Sequence, residues 1–431
     1  MKSYDEALSW IHGLLKFGIK PGLKRVEWLL QRTGHPEKKV KCIHIAGTNG
    51  KGSTVEYLRS VFLEADYQVG TFTSPYLISF NERISINGKP IENIEFLQYA
   101  RLLRPLVEEL SKTSLGSPTE FEVITVISLL YFADQKPDVV LYEAGLGGLY
   151  DSTNVITPIL SLITNVGFDH MAILGESIEA ISFQKAGIIK NTIPVISTAE
   201  QKEAVDVITK KAKDMNSTAY LLNAHFSVQH KTSSDKGELF TYTGLNGVEI
   251  EVQISMKGVH QVKNAGLALA AIEYLIESGD YVITPTEIKR GLVQANWAGR
   301  FEKVSSSPDI IIDGAHNLQG IQALKETLIK HYKGRRIYLL FAALHDKAYG
   351  NMMDELKEIV YEVYFTTFDF PRAASADQLL AESPFLKSQS FTSWESALQA
   401  VREKLHKEDI LIITGSLYFI SEIRKTFIKS E

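Results

Sequence analysis

From about residue 39, short β-branched and aliphatic runs alternate with longer stretches of helical periodicity. A mostly parallel sheet covered by helices requires that alternation. The pattern predicts strands over 40–46, 68–73, 138–143, 159–165 and 193–197, and helices over 54–65 and 120–133. In the first helix Leu58, Val61 and Phe62 share one face. Val195 and Ile196 sit among apolar neighbours, as in strands buried on both faces. Near His225 the character changes. Short alternating segments over 225–257 are broken by Ser-Ser-Asp-Lys-Gly and Leu-Asn-Gly turns, which predicts an antiparallel hairpin or small sheet. Helical patterns return over 261–276 and 286–294, and Asn296-Trp297-Ala298-Gly299-Arg300 reads as a linker. Beyond it a second series places strands over 310–313, 337–341, 362–366 and 410–414, with a last helix over 417–426. The expected fold class is α/β in two parts. Residues 1–297 form a mostly parallel domain with a small antiparallel subdomain, and residues 298–431 a smaller α/β domain.

Composition narrows the function classes. A chain of 431 residues that is 45% hydrophobic can bury the cores of two such domains. Its net charge of -5 gives no basis for a nucleic-acid partner, and no apolar stretch is long enough to span a membrane. The single Cys42 excludes an intrachain disulfide and suits a reducing compartment. Met1-Lys2-Ser3-Tyr4-Asp5-Glu6 lacks the basic-then-apolar layout of a secretory leader. These features predict a cytoplasmic enzyme acting on small molecules. Two domains need no partner, so a monomer is the default.

The chemistry begins where the first strand ends. Gly47-Thr48-Asn49-Gly50-Lys51-Gly52-Ser53 lies between an apolar run and a helical one. Its glycines let backbone N–H groups turn inward around phosphate oxygens at a helix N-terminus. Lys51 can reach the β- and γ-phosphates, and the Ser53 hydroxyl can sit on a magnesium ion. Gly52 separates the lysine from the hydroxyl residue, unlike the usual phosphate loop, and points away from kinases and GTPases.

In parallel sheets ligands gather at the carboxyl ends of strands. Ser74, Glu143 and Asp169-His170 all follow predicted strands. If those strands are neighbours, one site holds the phosphate loop, a hydroxyl, a carboxylate and an imidazole, a set that suits magnesium-ATP. Taken singly, Glu143 reads equally as an ion-pair partner, His170 as a hydrogen-bonded structural histidine, and Ser74 as a turn residue before Pro75. The glycine-rich segment Gly145-Leu146-Gly147-Gly148-Leu149-Tyr150-Asp151-Ser152-Thr153-Asn154 can close over a substrate. Lys185, at an apolar helix end, reads by itself as a snorkelling surface residue. In the second domain Asp313-Gly314-Ala315-His316-Asn317 repeats the strand-to-loop-to-helix layout, with Asn317 a candidate N-cap. Arg300 can clamp a phosphate. Thr414-Gly415-Ser416-Leu417-Tyr418 is either site rim or cap.

Together these residues resemble the folylpolyglutamate synthase and dihydrofolate synthase family, which is related to the Mur ligases. The matching blocks include Gly47–Ser53, Thr73-Ser74-Pro75-Tyr76, Phe80-Asn81-Glu82-Arg83, Glu143–Asn154, Asp169-His170, Lys185–Lys190, His260-Gln261 with Asn264, Trp297 with Gly299-Arg300, Asp313–Asn317 and Thr414–Tyr418. The resemblance implies an ATP-dependent ligase that adds L-glutamate to a folate or pteroate carboxylate through an acyl phosphate. It implies ATP and Mg²⁺ as cofactors, with a monovalent cation such as K⁺ as a further candidate. Metal ligation falls on Ser53, Ser74, Glu143, His170 and a side-chain-carboxylated Lys185. ATP contacts fall on residues 47–53, Asn264, Arg300, Asp313 and His316, and catalysis on Lys51, His170, Lys185 and Asp313. Substrate contacts fall on Phe121, Glu122, Tyr150, Asp151, Ser152 and Ser416. Leu149, Gln184 and Ala298 depart from the family pattern, and Leu149 bears on the substrate loop. Lys20-Pro21-Gly22-Leu23-Lys24-Arg25-Val26 resembles the bifunctional bacterial members. Two rivals remain: a Mur-type ligase joining an amino acid to a muropeptide, and a catalytically silent nucleotide-binding module.

Overall fold

In the computed structural model, which describes residues 1–18 and 20–428, the strands form three sheets. The first runs from edge to edge as Lys89–Pro90, Ile84–Ile86, Val69–Phe72, Val139–Glu143, Cys42–Ala46, Leu160–Ile163, Val195–Ser197 and Ala219–Leu221. Pairing is parallel from Val69–Phe72 onward and antiparallel at the edge that precedes it. The second sheet is antiparallel: Ser227–Ser234, Gly237–Thr243 and Glu249–Ile254, with the central strand paired on both sides. The third is Glu302–Ser306, Asp309–Ile312, Ile410–Thr414, Ile337–Phe341, Val360–Phe365 and Ser388–Ser390, parallel except for the first pair.

Successive strand side chains point to opposite faces, so each central strand feeds two cores. Ile43 and Ile45, with Val139 and Leu141, pack toward the helices Lys51–Glu64 and Val259–Glu277. Cys42, Val140 and Tyr142 face the opposite core, against Asn93–Leu110 and Glu120–Gln135. The third sheet repeats the plan: Ile311, Leu339 and Ile412 enter one core, and Ile312, Leu340 and Ile413 the other. This two-sided burial is why the predicted strands read as unbroken apolar runs.

The long predicted elements are present with ends shifted by a few residues. The helix expected from 54 starts at Lys51, because the glycine turn opens directly into it. Short strands were outside the expectation: Ile84–Ile86, next to an edge, and the edge strands Lys89–Pro90, Ala219–Leu221, Glu302–Ser306 and Ser388–Ser390. Edge strands bury one side only and carry little apolar signal. The helix Glu120–Gln135 opens on a reciprocal cap, in which Glu122 N–H donates to Thr119 Oγ1 (3.2 Å) and Thr119 N–H to Glu122 Oε2 (2.7 Å).

Candidate active site

The strand order supplies the condition the sequence left open. Val69–Phe72, Val139–Glu143, Cys42–Ala46 and Leu160–Ile163 are consecutive neighbours. Their carboxyl ends therefore release Ser74, Glu143, the phosphate loop and the Asp169-His170 segment side by side. One cleft is lined by residues 47–52, Ser74, Glu143, Gly145–Gly147, Asp169, His170, Lys185, Arg300, His316 and Leu417.

The loop geometry depends on absent side chains. A Cβ on Gly47 would lie 1.8 Å from Thr164 Oγ1, and one on Gly50, at φ +86°, 2.3 Å from Asn264 Oδ1. Lys51 Nζ donates to the carbonyls of Gly47 (3.1 Å) and Thr48 (3.3 Å), 3.9 Å from Glu143 Oε1. Ser74 N–H donates to Glu143 Oε2 at 3.3 Å. Burial pushes the Glu143 carboxyl up, while Lys51, the Ser74 N–H and Arg300 pull it down.

Lys185 is not a surface residue. It is 2% exposed, and its expected snorkelling fails because the helix Ile178–Ala186 ends inside the cleft wall. Burial first, then the nearby Lys51, pulls its ammonium down to about 7. His170, whose side chain is 40% exposed at the cleft, is pulled down to about 4 by partial desolvation and by its neighbours Lys347, His316 and Lys51 acting against Asp169. Burial would raise the Asp169 carboxyl, but its neighbours His316, His170 and Lys347 hold it well below the carboxylate range.

The third sheet presents its own strand ends to the same cleft. Asn317 caps the helix Leu318–His331 by accepting from Gly320 N–H, as its sequence position suggests. Its amide also exchanges hydrogen bonds with Asn49, at 3.0 and 3.2 Å, and donates to Asp169 at 3.1 Å. Lys347 pairs with Asp169, and His316 Nε2 lies 3.7 Å from it. Lys347 was missed: it follows the strand Ile337–Phe341 within Leu344-His345-Asp346-Lys347, a strand-end position whose only signal was that placement.

Other predicted residues take supporting positions. Ser53 is buried behind the loop and accepts from Gln261 Nε2 (3.2 Å), and Asn264 packs on Gly50. Asp313 accepts from Phe301 N–H and Ala315 N–H, which fixes the turn that carries His316. Ser416 is buried beneath the cleft-lining Leu417. Glu122 is also internal, bound to Arg25 at 2.9 and 3.0 Å besides its cap. Phe121 packs over Gly145, whose added Cβ would meet the ring at 2.5 Å. Tyr150 is exposed at the loop tip, whereas Asp151 and Ser152 turn inward.

Known proteins share this two-domain plan. The Mur ligase middle domain matches residues 45–272, and the Mur ligase glutamate ligase domain matches residues 299–417. The dihydrofolate synthase/folylpolyglutamate synthase of Bacillus subtilis (strain 168) is 44% identical over 424 residues, covering 98% of this chain and 99% of that protein. Among solved structures, Mycobacterium tuberculosis folylpolyglutamate synthase complexed with ADP and AMPPCP superposes with a TM-score of 0.91 at 28% identity, covering 99% of each chain. E. coli FolC in complex with DHPP and ADP gives 0.87 at 27%, covering 99% of this chain and 97% of that one. With both domains matched in order and nearly the whole length aligned, the chain belongs to the dihydrofolate synthase/folylpolyglutamate synthase family of Mur ligases.

Proposed function

We propose that this protein is an ATP-dependent amide ligase joining the amine of L-glutamate to a carboxylate of reduced folates and of dihydropteroate, with ADP and phosphate as the other products. The observation that carries the reading is the convergence of Lys51, Glu143, His170 and Lys185 on one cleft. The family supports it, and so does the E. coli neighbour, whose complex holds DHPP and ADP. The relatives reported above carry folate names, which favours this reading over a Mur-type muropeptide ligase.

A carboxylate is a poor electrophile, so the first step is its activation. A carboxylate oxygen attacks the γ-phosphorus, the bond to the β–γ bridging oxygen breaks, and ADP leaves an acyl phosphate. Residues 47–53 supply N–H donors and the Lys51 charge to the transferring oxygens. The glutamate amine, after losing its proton to solvent, attacks the carbonyl carbon, and collapse of the tetrahedral intermediate expels phosphate. Asn49–Asn317 and Asp169–Lys347 hold the two sheets' strand ends together across the cleft, which keeps water from the acyl phosphate.

The donor chemistry fits Mg²⁺. Among the described residues no group of three His, Cys, Asp or Glu side chains forms a metal cage. Mg²⁺ ordinarily takes one or two carboxylates and completes its shell with phosphates and water. Ser74, Glu143, His170 in its neutral form and a carboxylated Lys185 are the candidate ligands, with Ser53 behind the phosphates. Held by these residues, Mg²⁺ would supply positive charge to offset that of the phosphates. The amine of Lys185 adds to CO₂ with loss of one proton, giving a carbamate in place of a cation. Arg300, His316 and Asn264 are the further ATP contacts, and Phe121, Tyr150, Asp151 and Ser152 the acceptor side. We take the enzyme to be a cytoplasmic monomer; the cleft residues named above all lie on one chain.

The test is ADP release with ATP, magnesium and L-glutamate, comparing dihydropteroate with tetrahydrofolate. Turnover with both is expected. Absence of glutamate-dependent turnover with either sinks the reading. Lys51→Ala and His170→Ala each cost at least tenfold in turnover, about 1.4 kcal/mol; wild-type kinetics in either folded variant removes that residue from the site.

A further inference from the structure

His44 stands in the strand Cys42–Ala46, three residues before Gly47, and is completely buried. It lies outside the chemistry proposed above, yet it touches the segment that carries the acceptor contacts. Its Nε2 is 2.8 Å from Thr153 Oγ1, and Thr153 Oγ1 is 2.5 Å from Asp151 Oδ1. Asp151 also accepts from Thr153 N–H at 3.0 Å and Leu146 N–H at 2.8 Å. The carboxylate therefore closes the loop on itself, and the chain Asp151–Thr153–His44 ties it to the strand below.

The direction of these bonds follows from donor inventory. Burial raises the Asp151 carboxyl and the hydrogen bonds it receives lower it; the oxygen Oδ1 already accepts from Thr153 N–H, so the single Thr153 hydroxyl proton points at it. The hydroxyl oxygen is then left to accept, and His44 must donate from Nε2. The imidazole is a neutral Nε2–H tautomer, with Nδ1 buried and, among the described residues, without a partner. Burial, with Lys190 nearby, pulls the ring down to about 3, so the neutral form persists through physiological pH.

The other side of the loop is bound to the element that carries Lys185. Leu149 N–H donates to Gln184 O at 2.7 Å, Asn154 Nδ2 to Gly187 O at 3.1 Å, and Lys190 Nζ to Asn154 O at 2.7 Å. Among the described residues, the His44 link is the one side-chain hydrogen bond that joins the segment to the strand ending in the phosphate loop. We propose that His44, acting through Thr153, is a positioning residue that sets the acceptor loop of residues 145–154 relative to the phosphate loop. The proposal rests on the assigned function only for the identity of the acceptor.

The variants are His44→Leu, which removes the donor, Thr153→Val, which removes the relay, and His44→Gln, which keeps an N–H donor. In steady-state assays the first two raise the acceptor KM at least tenfold, while the ATP KM and the ADP dissociation constant stay within about twofold. His44→Gln recovers most of the loss. An unchanged acceptor KM in folded His44→Leu overturns the proposal, as does a parallel weakening of acceptor and nucleotide. Should the wild-type enzyme turn over neither folate nor dihydropteroate, the functional assignment falls, and hydrogen exchange decides the positioning role. His44→Leu then loses amide protection over 145–154 and keeps it over 47–53; equal protection in both proteins overturns the proposal. Nitrogen-15 NMR gives an independent readout: the proton is expected on Nε2, and finding it on Nδ1 removes the link.

Discussion

A lysine side chain is useful as a metal-ligand precursor only when its amine is free. Lys185 meets that requirement through position: burial and the charge of Lys51 bring it to about 7, where an exposed lysine titrates near 10.4. The direction fixes a pH dependence. Below about 7 the amine is protonated and cannot add to CO₂; above it the free amine predominates. Carbamate formation, read by ¹³C NMR with labelled bicarbonate, should rise between pH 6 and 8 and be absent in Lys185→Ala. No signal at pH 8 in the wild-type enzyme would exclude the modification. This residue also marks a limit of sequence reading. A lysine beside Ala186, Ile188 and Ile189 has the composition of a snorkelling helix end, and only the fold reveals that the helix terminates inward. Glu143 and His170 were more legible, because their strand-end placement follows from the alternating pattern and needed only the strand order to bring them to one cleft.

At the scale of elements, the phosphate loop is shaped by what its neighbours occupy. Gly50 has left-handed backbone geometry, and its missing Cβ leaves room for Asn264 from the helix Val259–Glu277. Gly50→Ala therefore meets two penalties, backbone strain of about 1–2 kcal/mol and a steric clash that moves Asn264. Nucleotide affinity should fall at least tenfold by calorimetry while the melting temperature changes by only a few degrees. Unaltered ADP binding would show that the loop tolerates the side chain and that Asn264 is not set by it. Sequence periodicity found this helix and this loop separately but not their contact. Hydrophobic pattern predicts faces, whereas the Gly50–Asn264 approach is a tertiary coincidence more than 200 positions apart. The same reasoning explains the missed edge strands. Ser388–Ser390 has no apolar run to detect, and its identity as a strand comes from pairing with Val360–Phe365.

Across the whole molecule, two carboxylates among the described residues make ion pairs between the matched domains. One is Asp169 at the cleft, facing Lys347 and His316; the other is buried and far from it in sequence. Glu238, in the strand Gly237–Thr243, receives His331 Nε2 at 2.8 Å from the end of the helix Leu318–His331, His230 Nε2 at 2.8 Å, and Gly258 N–H at 2.7 Å. Gly258 immediately precedes the helix that bears Gln261 and Asn264, so this carboxylate couples the glutamate-ligase domain to the elements behind the phosphate loop. Burial opposes its charge, but His331, Ser233, the Gly258 N–H and His230 prevail and bring Glu238 down to about 2. A carboxyl depressed in the folded state stabilises it above the unfolded value, about 4.5, and loses that contribution as pH falls toward 2. Acid denaturation of the wild-type protein should therefore steepen within that window, while Glu238→Gln, less stable at neutral pH, should lack the steepening. Parallel stability–pH curves for the two proteins would show that the carboxylate's charge does not hold the domains together. Sequence offered no pointer to this contact, since a glutamate in an alternating strand reads as solvent-facing until a histidine from another domain covers it.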